Sequence, residues 1–288
     1  MVKSVAAGLS DRLAQAYMHA CLAEVEAIKP GNVHIFADGH GMVVSDFIQS
    51  AEASAQVIAM PNLTLGERVY RAVEATWQAV GMNTNLGIVL LCAPMVHAMM
   101  HSTKTTLHAK ITEVLAYTTQ ADAEQVFAAI RIAHPAGLGD SSAHDVHQTA
   151  DCTLLEAMQY AAPRDAIAKQ YSQAYSDIFT IGLPCYRQHL ARWGRPAWAT
   201  TAMYLQWLVQ FNDSHVQRKF GLEVAKSLQT LARPHFSAFS AQENPKLYLT
   251  NLLAFDEQLK AMDINPGTSA DLTVATLLSA SLLNVKDN

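Results

Sequence analysis

Apolar residues recur about every 3.6 positions along most of this chain, which is the spacing of one face of an α-helix. Short polar segments that contain glycine interrupt this pattern at intervals. A first helix is predicted to begin at Ser10 or Asp11, either of which could cap it, and to end at Lys29. The Pro-Gly pair that follows Lys29 is typical of a helix stop, so the first polar segment starts at a helix C-terminus.

Further helices follow from the same pattern. A Ser-Asp pair at 45–46 opens the second helix, and Thr64 with Glu67 resembles a capping box. No convincing strand alternation or fixed repeat is found, although 88–91 alone could form a buried strand. The pattern predicts an all-α fold, a single bundle-like domain over 1–288 with a polar central cleft. Helical segments are predicted at 45–60, 64–77, 88–100, from 122, and at 153–158, 163–179, 198–209, 222–231, 246–262 and 271–283.

Composition is consistent with one large domain. The 288 residues contain no Ser/Gly/Pro-rich linker and no charge block that would divide them. Hydrophobic residues make up 50% of the chain and charged residues only 16%, which allows a sizeable core and excludes a disordered protein. The surplus of apolar surface suggests a homo-oligomer.

Charge and cysteine usage exclude several classes of protein. A net charge of −5 argues against a nucleic-acid binder, so any nucleotide would be a small-molecule ligand. The first residues lack the pattern of a signal peptide, and the apolar stretch 88–100 is too short to span a membrane. Four isolated cysteines without paired zinc spacing favour a reduced, cytoplasmic protein.

Four polar segments hold most of the candidate chemistry, at 29–34, 81–87, 213–221 and 265–272. Each abuts an apolar helix, so all four are predicted to line one cleft. Before the first segment, Glu24 could bind Mg²⁺ or accept a proton, or it could be an ordinary solvated carboxylate. The candidate ligand contacts of this segment are Lys29, Asn32 and His34, although a single histidine is more often structural or exposed.

The second and fourth segments are ambiguous when taken alone. Asn83, Thr84 and Asn85 could contact an anion or a sugar beside the start of a helix, or they could simply cap that helix. Ser269 is predicted as an N-cap, and Asp271 in the first helical turn would complement the helix dipole.

The third segment gives the sharpest prediction. If it is helical, His215 lies on the same face as Lys219, and Arg218 follows three residues after His215. Asp213 could then hold Mg²⁺, while Arg218 and Lys219 could hold a polyphosphate. The alternative is a charged surface turn that ends at a capping glycine.

Between the second and third segments, a predicted helix carries Arg164 and Asp165, which are further candidate contacts. A loop before this helix is rich in acidic residues and histidines. Their spacing matches none of the usual structural or protease zinc patterns, so the sequence does not predict zinc there. These loop residues are Asp140, His144, Asp145 and His147.

The chain contains no Walker loop, no Rossmann fingerprint and no nucleophile elbow. Instead, its four segments resemble the triphosphoribosyl-dephospho-CoA synthase family, in the same order over nearly the whole chain. It resembles a divergent branch, because 139–140 and 164–171 differ from the Arg-Glu-Glu and Gly-Phe-Pro segments of the citrate-lyase enzymes. The resemblance is carried by Glu24, by 29–31 and 81–84, by 213–221, and by 267–272.

The resemblance implies an all-α enzyme that uses ATP and Mg²⁺. In such an enzyme the 2′-hydroxyl of 3′-dephospho-CoA attacks C1′ of the ATP ribose and adenine leaves. The product is a precursor of the prosthetic group of citrate or malonate lyases. Glu24 or Asp213 would then serve as base and metal ligand. Phosphate contacts would be Lys29, Arg218 and Lys219, and sugar or supporting contacts would be Asn83, Asn85, Ser269 and Asp271.

Three alternatives stay open at this point. The chain could be a related ribosyltransferase with a different acceptor, or a metal-dependent N-glycosidic hydrolase that transfers the ribosyl group to water. It could also be a helical nucleotide-binding protein without turnover.

Overall fold

The computed structural model describes residues 2–139 and 141–284, with side chains from Gly8 onward, so Asp140 of the acidic loop lies outside the described residues. This part of the chain is all-α and contains no strand, only two isolated bridges in the loop after the first helix. The α-helices are α1 (Val2–Glu26), α2 (Val44–Ile58), α3 (Leu65–Val80), α4 (Leu86–His101), α5 (Leu107–Ala116), α6 (Gln120–Ala133), α7 (Leu154–Ala161), α8 (Ala166–Ser172), α9 (Leu183–Trp193), α10 (Pro196–Gln210), α11 (Ser214–Phe220), α12 (Leu222–Ser240), α13 (Leu249–Ala261) and α14 (Gly267–Leu282).

Capping boxes fix the starts of several helices. Thr64 accepts the backbone N–H of Glu67, and the Glu67 carboxylate accepts the Thr64 N–H in return, as the sequence predicted. Thr119 and Thr153 open α6 and α7 in the same way. These boxes satisfy backbone donors that a helix start would otherwise leave unpaired.

The predicted start of the first helix was wrong. α1 begins at Val2, and Ser10 lies inside it, where its hydroxyl donates to the carbonyl of Ala59 at the end of α2. Two short helices, α5 and α9, were missed. Their 10 and 11 residues give the periodicity little length in which to show.

The predicted helix over 163–179 is interrupted. α8 ends at Ser172, and a π-helix follows at Ile178–Gly182. Ala174 and Tyr175 lie between the two and adopt left-handed φ of 47° and 65°, which a right-handed helix cannot contain. In α4, Pro94 removes the N–H that would bond the carbonyl of Leu90, and the hydroxyl of Tyr171 donates to that carbonyl at 2.6 Å.

The core has two parts. The larger surrounds α4 and α14, which are buried along most of their length. The smaller packs α10, α12 and α13 together. Two buried hydroxyls of α14 are satisfied within the helix, since Thr273 and Thr276 donate to carbonyls four residues earlier. The single domain over 1–288 stays a prediction.

Four helices point their N-termini at one region between the two parts of the core. These are α4, α8, α11 and α14, and the end of α1 meets them there. A helix N-terminus carries a partial positive charge that favours anions. Carboxylates accept N–H groups at the starts of α8, α11 and α14, whereas the start of α4 is capped by the neutral amide of Asn83. Within the described residues, no helix is both long and apolar enough to cross a membrane.

Candidate active site

A cavity of about 560 Å³ lies where these helix ends meet. All four polar segments contribute to its wall, together with several residues of the loop after α6, within 135–139 and 141–146. The predicted site residues that line it are Glu24, Asn32, Asn83, Thr84, Asn85, Arg164, Asp165, His215, Arg218 and Asp271.

Lys29 is fully buried behind the wall and does not line the cavity. Its ammonium group pairs with Glu24 and also donates to Asn32 Oδ1 at 2.9 Å and to the Val33 carbonyl at 2.7 Å. All three of its protons are therefore used. Burial lowers the pKa of Lys29 and raises the pKa of Glu24, while the attraction between the two charges opposes both shifts. In this arrangement Lys29 holds Glu24 at the cavity.

Asn32 joins the first and fourth segments, because its amide donates to Asn265 Oδ1 at 2.8 Å. In the second segment, Asn85 is anchored by donating to Thr76 Oγ1 at 2.9 Å, and Thr84 shares a 2.5 Å hydrogen bond with Ser50. Asn83 is exposed, and its side-chain oxygen accepts the N–H of Leu86 at the start of α4. These contacts fix the cavity wall around the α4 N-terminus.

Asp213 is buried, and both of its carboxylate oxygens are used. One accepts the backbone N–H groups of His215 and Val216, which caps α11. The other accepts the N–H and the hydroxyl of Ser269, both at 2.8 Å, which ties α11 to α14. The predicted N-cap role of Ser269 was wrong, because α14 begins at Gly267 and Ser269 lies inside it. Through these four hydrogen bonds, Asp213 links α11 to α14.

Asp271 is placed differently from Asp213. Its carboxylate lines the cavity and has no hydrogen-bond partner among the described residues. Burial raises its pKa well above the usual range, and the nearby charges of Asp213 and Glu24 raise it further. A desolvated carboxylate with no protein donor is available to a cation or a substrate.

Gly87 in the first turn of α4 makes room for the Asp271 carboxylate. A Cβ at this position would lie 2.0 Å from Asp271 Oδ2 and 2.8 Å from Ile167 Cδ1. We expect Gly87→Ala to displace Asp271 and to lower turnover by about 10²-fold, since small misplacements of reacting groups have costs of this size. Steady-state turnover against Gly8→Ala, where a Cβ meets nothing within 4 Å, is the measurement. Equal rates for both variants would contradict this account of Gly87.

Arg218 and Asp165 connect α11 to α8. Arg218 Nη1 donates to Asp165 Oδ2 at 2.6 Å, while Asp165 Oδ1 caps α8 through Ile167 and Ala168. Among the described residues, the Arg218 Nε is buried without a partner, so this guanidinium at the cavity wall keeps donors that they do not use. Lys219 is turned away from the cavity and pairs with Asp263 Oδ2 at 2.7 Å. Of the two alternatives for this segment, the structure has the helix, α11.

His215 lines the cavity beside Gly267. Its ring makes no hydrogen bond within the described part of the chain, and a Cβ on Gly267 would lie 2.7 Å from its Nδ1. Burial lowers the pKa of His215, against the attraction of Asp213. The imidazole is therefore neutral near pH 7 and can accept a proton.

His34 is fully buried outside the cavity. Its Nδ1 accepts the N–H of Phe36 at 3.3 Å, and its Nε2 lies 3.4 Å from Asp256 Oδ2. Asp256 also accepts the N–H of Gly31 at 2.8 Å and is paired with Lys260. His34 thus helps to shape the loop after α1.

Beside the predicted contact Arg164, the outer wall contains Ser141 and Tyr160, which the sequence pattern did not reveal. Arg164 lies over the ring of Tyr160 at 5.0 Å and donates to Ser141 Oγ at 3.2 Å. Asn265 and Thr268 also line the cavity, and although they lie in the fourth polar segment, no sequence signal distinguishes them as contacts. In the sequence, the apolar residues of the cavity wall look like ordinary core residues, so no pattern marks them as part of a site. They include Phe47, Val126, Phe127, Ile130, Leu138, Leu154 and Met158.

Comparison with known proteins agrees with this architecture. The chain is similar in structure to a protein from Archaeoglobus fulgidus described as a candidate triphosphoribosyl-dephospho-CoA synthase, with a TM-score of 0.62 and 22% identity. The likeness covers 82% of this chain and 97% of that one, and it supports the fold. None of the curated proteins compared with the chain matches it. The sequence model of the CitG family, ATP:dephospho-CoA triphosphoribosyl transferase, matches residues 10–288. The chain therefore belongs to the CitG family of triphosphoribosyl transferases.

Proposed function

We propose that this cavity binds ATP and dephospho-CoA and joins them with release of adenine. The 2′-hydroxyl oxygen of dephospho-CoA forms a bond to C1′ of the ATP ribose, and the bond from C1′ to adenine N9 breaks. The hydroxyl proton passes to a protein base, adenine leaves with a proton, and the triphosphate stays on the ribose. The observation that carries this proposal is the unpartnered Asp271 carboxylate, in one cavity with the unused donors of Arg218.

The triphosphate is assigned to the wall formed by Arg218 and the N-terminus of α4. A guanidinium group fits phosphate oxygens, and its buried Nε needs an acceptor that the described residues do not provide. The N-terminus of α4, which is capped by the neutral Asn83, adds positive potential without a further basic residue. This explains how a chain of net charge −5 could hold a polyanion.

Mg²⁺ is assigned to Glu24 and Asp271. Oxygen ligands suit this ion, which usually binds one or two carboxylates together with substrate phosphates. We assign Asp271 in place of Asp213, because four hydrogen bonds already occupy the Asp213 carboxylate. When bound, Mg²⁺ would neutralise charge on the triphosphate.

The remaining chemistry is assigned to side chains of the cavity wall. Loss of adenine gives an oxocarbenium-like state at C1′, and the negative charges of Glu24 and Asp271 would stabilise it. The neutral imidazole of His215 would accept the proton of the attacking hydroxyl. The apolar wall at Phe127, Leu154 and Met158 would hold adenine or the pantetheine arm.

We also propose that the protein is cytoplasmic. Its four cysteines are free and buried, which suits a reducing compartment where ATP is abundant. Assembly into a homo-oligomer stays a prediction.

Product analysis tests the proposed function. Incubation with ATP, Mg²⁺ and dephospho-CoA is expected to release adenine and one equivalent of triphosphoribosyl-dephospho-CoA, identified by mass. Release of adenine with free ribose 5-triphosphate would indicate a hydrolase. Absence of adenine under all conditions would indicate a nucleotide-binding protein without turnover.

Arg218 provides a separate test of ligand binding. Arg218→Ala should raise the Kd for Mg-ATP by about 10- to 100-fold, because a lost hydrogen bond to a charged group costs about 1.5–3 kcal/mol. Lys219→Ala, in the same helix but paired with Asp263, should change the Kd by less than about twofold. Calorimetric titration measures both, and equal loss in the two variants would contradict the assignment.

A further inference from the structure

Three side chains that can bind a metal meet at the rim of the cavity. The ligand atoms of His144, Asp151 and Cys152 all lie within 4.8 Å of one another, and His144 Nδ1 lies 2.7 Å from Asp151 Oδ1. Cys152 is 9% exposed, and His144 also lines the cavity. Within residues 2–139 and 141–284, no other group of three or more such residues is this close.

The donor set fits zinc. A nitrogen, an oxygen and a sulfur ligand with bond lengths of about 2.0–2.3 Å would be about 3.3–3.8 Å apart in a tetrahedral site. The ligand atoms of this cluster all lie within 4.8 Å of one another, and the closest known pair, His144 Nδ1 and Asp151 Oδ1, would separate from 2.7 Å to take up a common ion. Thiolate and imidazole select zinc over Mg²⁺, which prefers oxygen. One thiolate and one carboxylate would balance the charge of the ion.

The surroundings hold His144 in position. Its backbone adopts a left-handed φ of 50°, which is uncommon for a residue other than glycine. The ring of Tyr160 packs edge-on against the imidazole at 5.3 Å. Asp145, which the sequence grouped with His144, is turned elsewhere and accepts the N–H groups of Ser141 and His147.

We propose that His144, Asp151 and Cys152 form a zinc site at the cavity rim, separate from the Mg²⁺ assigned to Glu24 and Asp271. On binding, Cys152 loses its thiol proton to solvent, and water takes the fourth position. The ligands are seven and one residues apart, a spacing outside the usual zinc motifs, which explains why the sequence did not predict the site.

Cobalt titration of the full-length protein tests this site, because Co²⁺ bound to a thiolate gives a charge-transfer band in the near ultraviolet. The wild type should show this band with one equivalent of Co²⁺, and Zn²⁺ should remove it. Cys152→Ser should abolish the band, whereas Cys185→Ser should keep it. Cys185 is a suitable control, because it is also buried and lies 3.6 Å from a histidine nitrogen but has no carboxylate beside it.

Asp151→Asn keeps the test decisive if Cys152→Ser disturbs folding. Asp151 has a side chain 71% exposed, so its substitution should leave the fold intact. We expect it to weaken Zn²⁺ binding by more than about tenfold, measured by competition with a chromophoric chelator. Absence of the band in the wild type would overturn the proposal, as would a band that survives Cys152→Ser or a Zn²⁺ affinity unchanged by Asp151→Asn.

Discussion

Asp271→Asn is expected to inactivate the enzyme while stabilising its fold. The substitution keeps the shape of the side chain but removes the charge assigned to Mg²⁺, so adenine release should fall by about 10²–10⁴-fold. The same charge is unfavourable for folding, because burial and the neighbouring Asp213 and Glu24 raise the pKa of Asp271. Removing it should increase the free energy of unfolding by about 0.5–2 kcal/mol.

The difference in stability between Asp271→Asn and the wild type should depend on pH. Below the ordinary pKa of an aspartate, Asp271 is protonated in both states, and the variant should match the wild type. As pH rises, the unfolded state loses its proton first, so wild-type stability falls relative to the variant until the folded-state pKa is passed. Denaturant unfolding across this range measures the difference. Asp263→Asn, at an exposed carboxylate, is the control, and an active or destabilised Asp271→Asn would contradict the account.

Lys29→Met is expected to destabilise the fold strongly, by about 3–5 kcal/mol, because it leaves the buried Glu24 without its cation. Lys219→Met is the matched control. Its ion pair with Asp263 is largely exposed to solvent, so the expected cost is below about 1 kcal/mol. Urea unfolding of both variants measures this difference.

A double variant tells whether Lys29 holds Glu24 in place or binds phosphate. Glu24→Gln together with Lys29→Met removes both charges, so it should recover part of the stability that Lys29→Met loses. If Lys29→Met instead kept the wild-type stability and only weakened Mg-ATP binding, Lys29 would be the phosphate contact that the sequence predicted.

Much of the fold could be predicted from the sequence, because it rests on local patterns. The helical period persists over long helices such as α4, and the box of Thr64 and Glu67 marks a helix start in a few residues. The missed helices α5 and α9 are too short to show a clear period. The interruption after α8 has a different cause: Ala174 and Tyr175 adopt left-handed φ, and the Tyr175 hydroxyl donates to the Leu91 carbonyl of α4, a contact between distant positions that leaves no periodic signal.

The segments that form the site could be predicted from the sequence, but the role of each residue within them could not. Glycine and proline mark where helices end, and those ends form the cavity. Which carboxylate is free depends on contacts between segments, since Asp213 is used by Ser269 whereas Asp271 is not. Likewise, Lys29 and Lys219 look equivalent as basic residues, yet one is buried behind the wall and the other is paired at the surface.

The most direct test of the central claim is the position of the metal in crystals of the protein grown with ATP and Mn²⁺ in place of Mg²⁺. The account predicts an anomalous scattering peak in the cavity beside the carboxylates of Asp271 and Glu24, with the triphosphate on Arg218. A peak and nucleotide bound outside this cavity, or a metal ligated by Asp213 with Asp271 uninvolved, would contradict it.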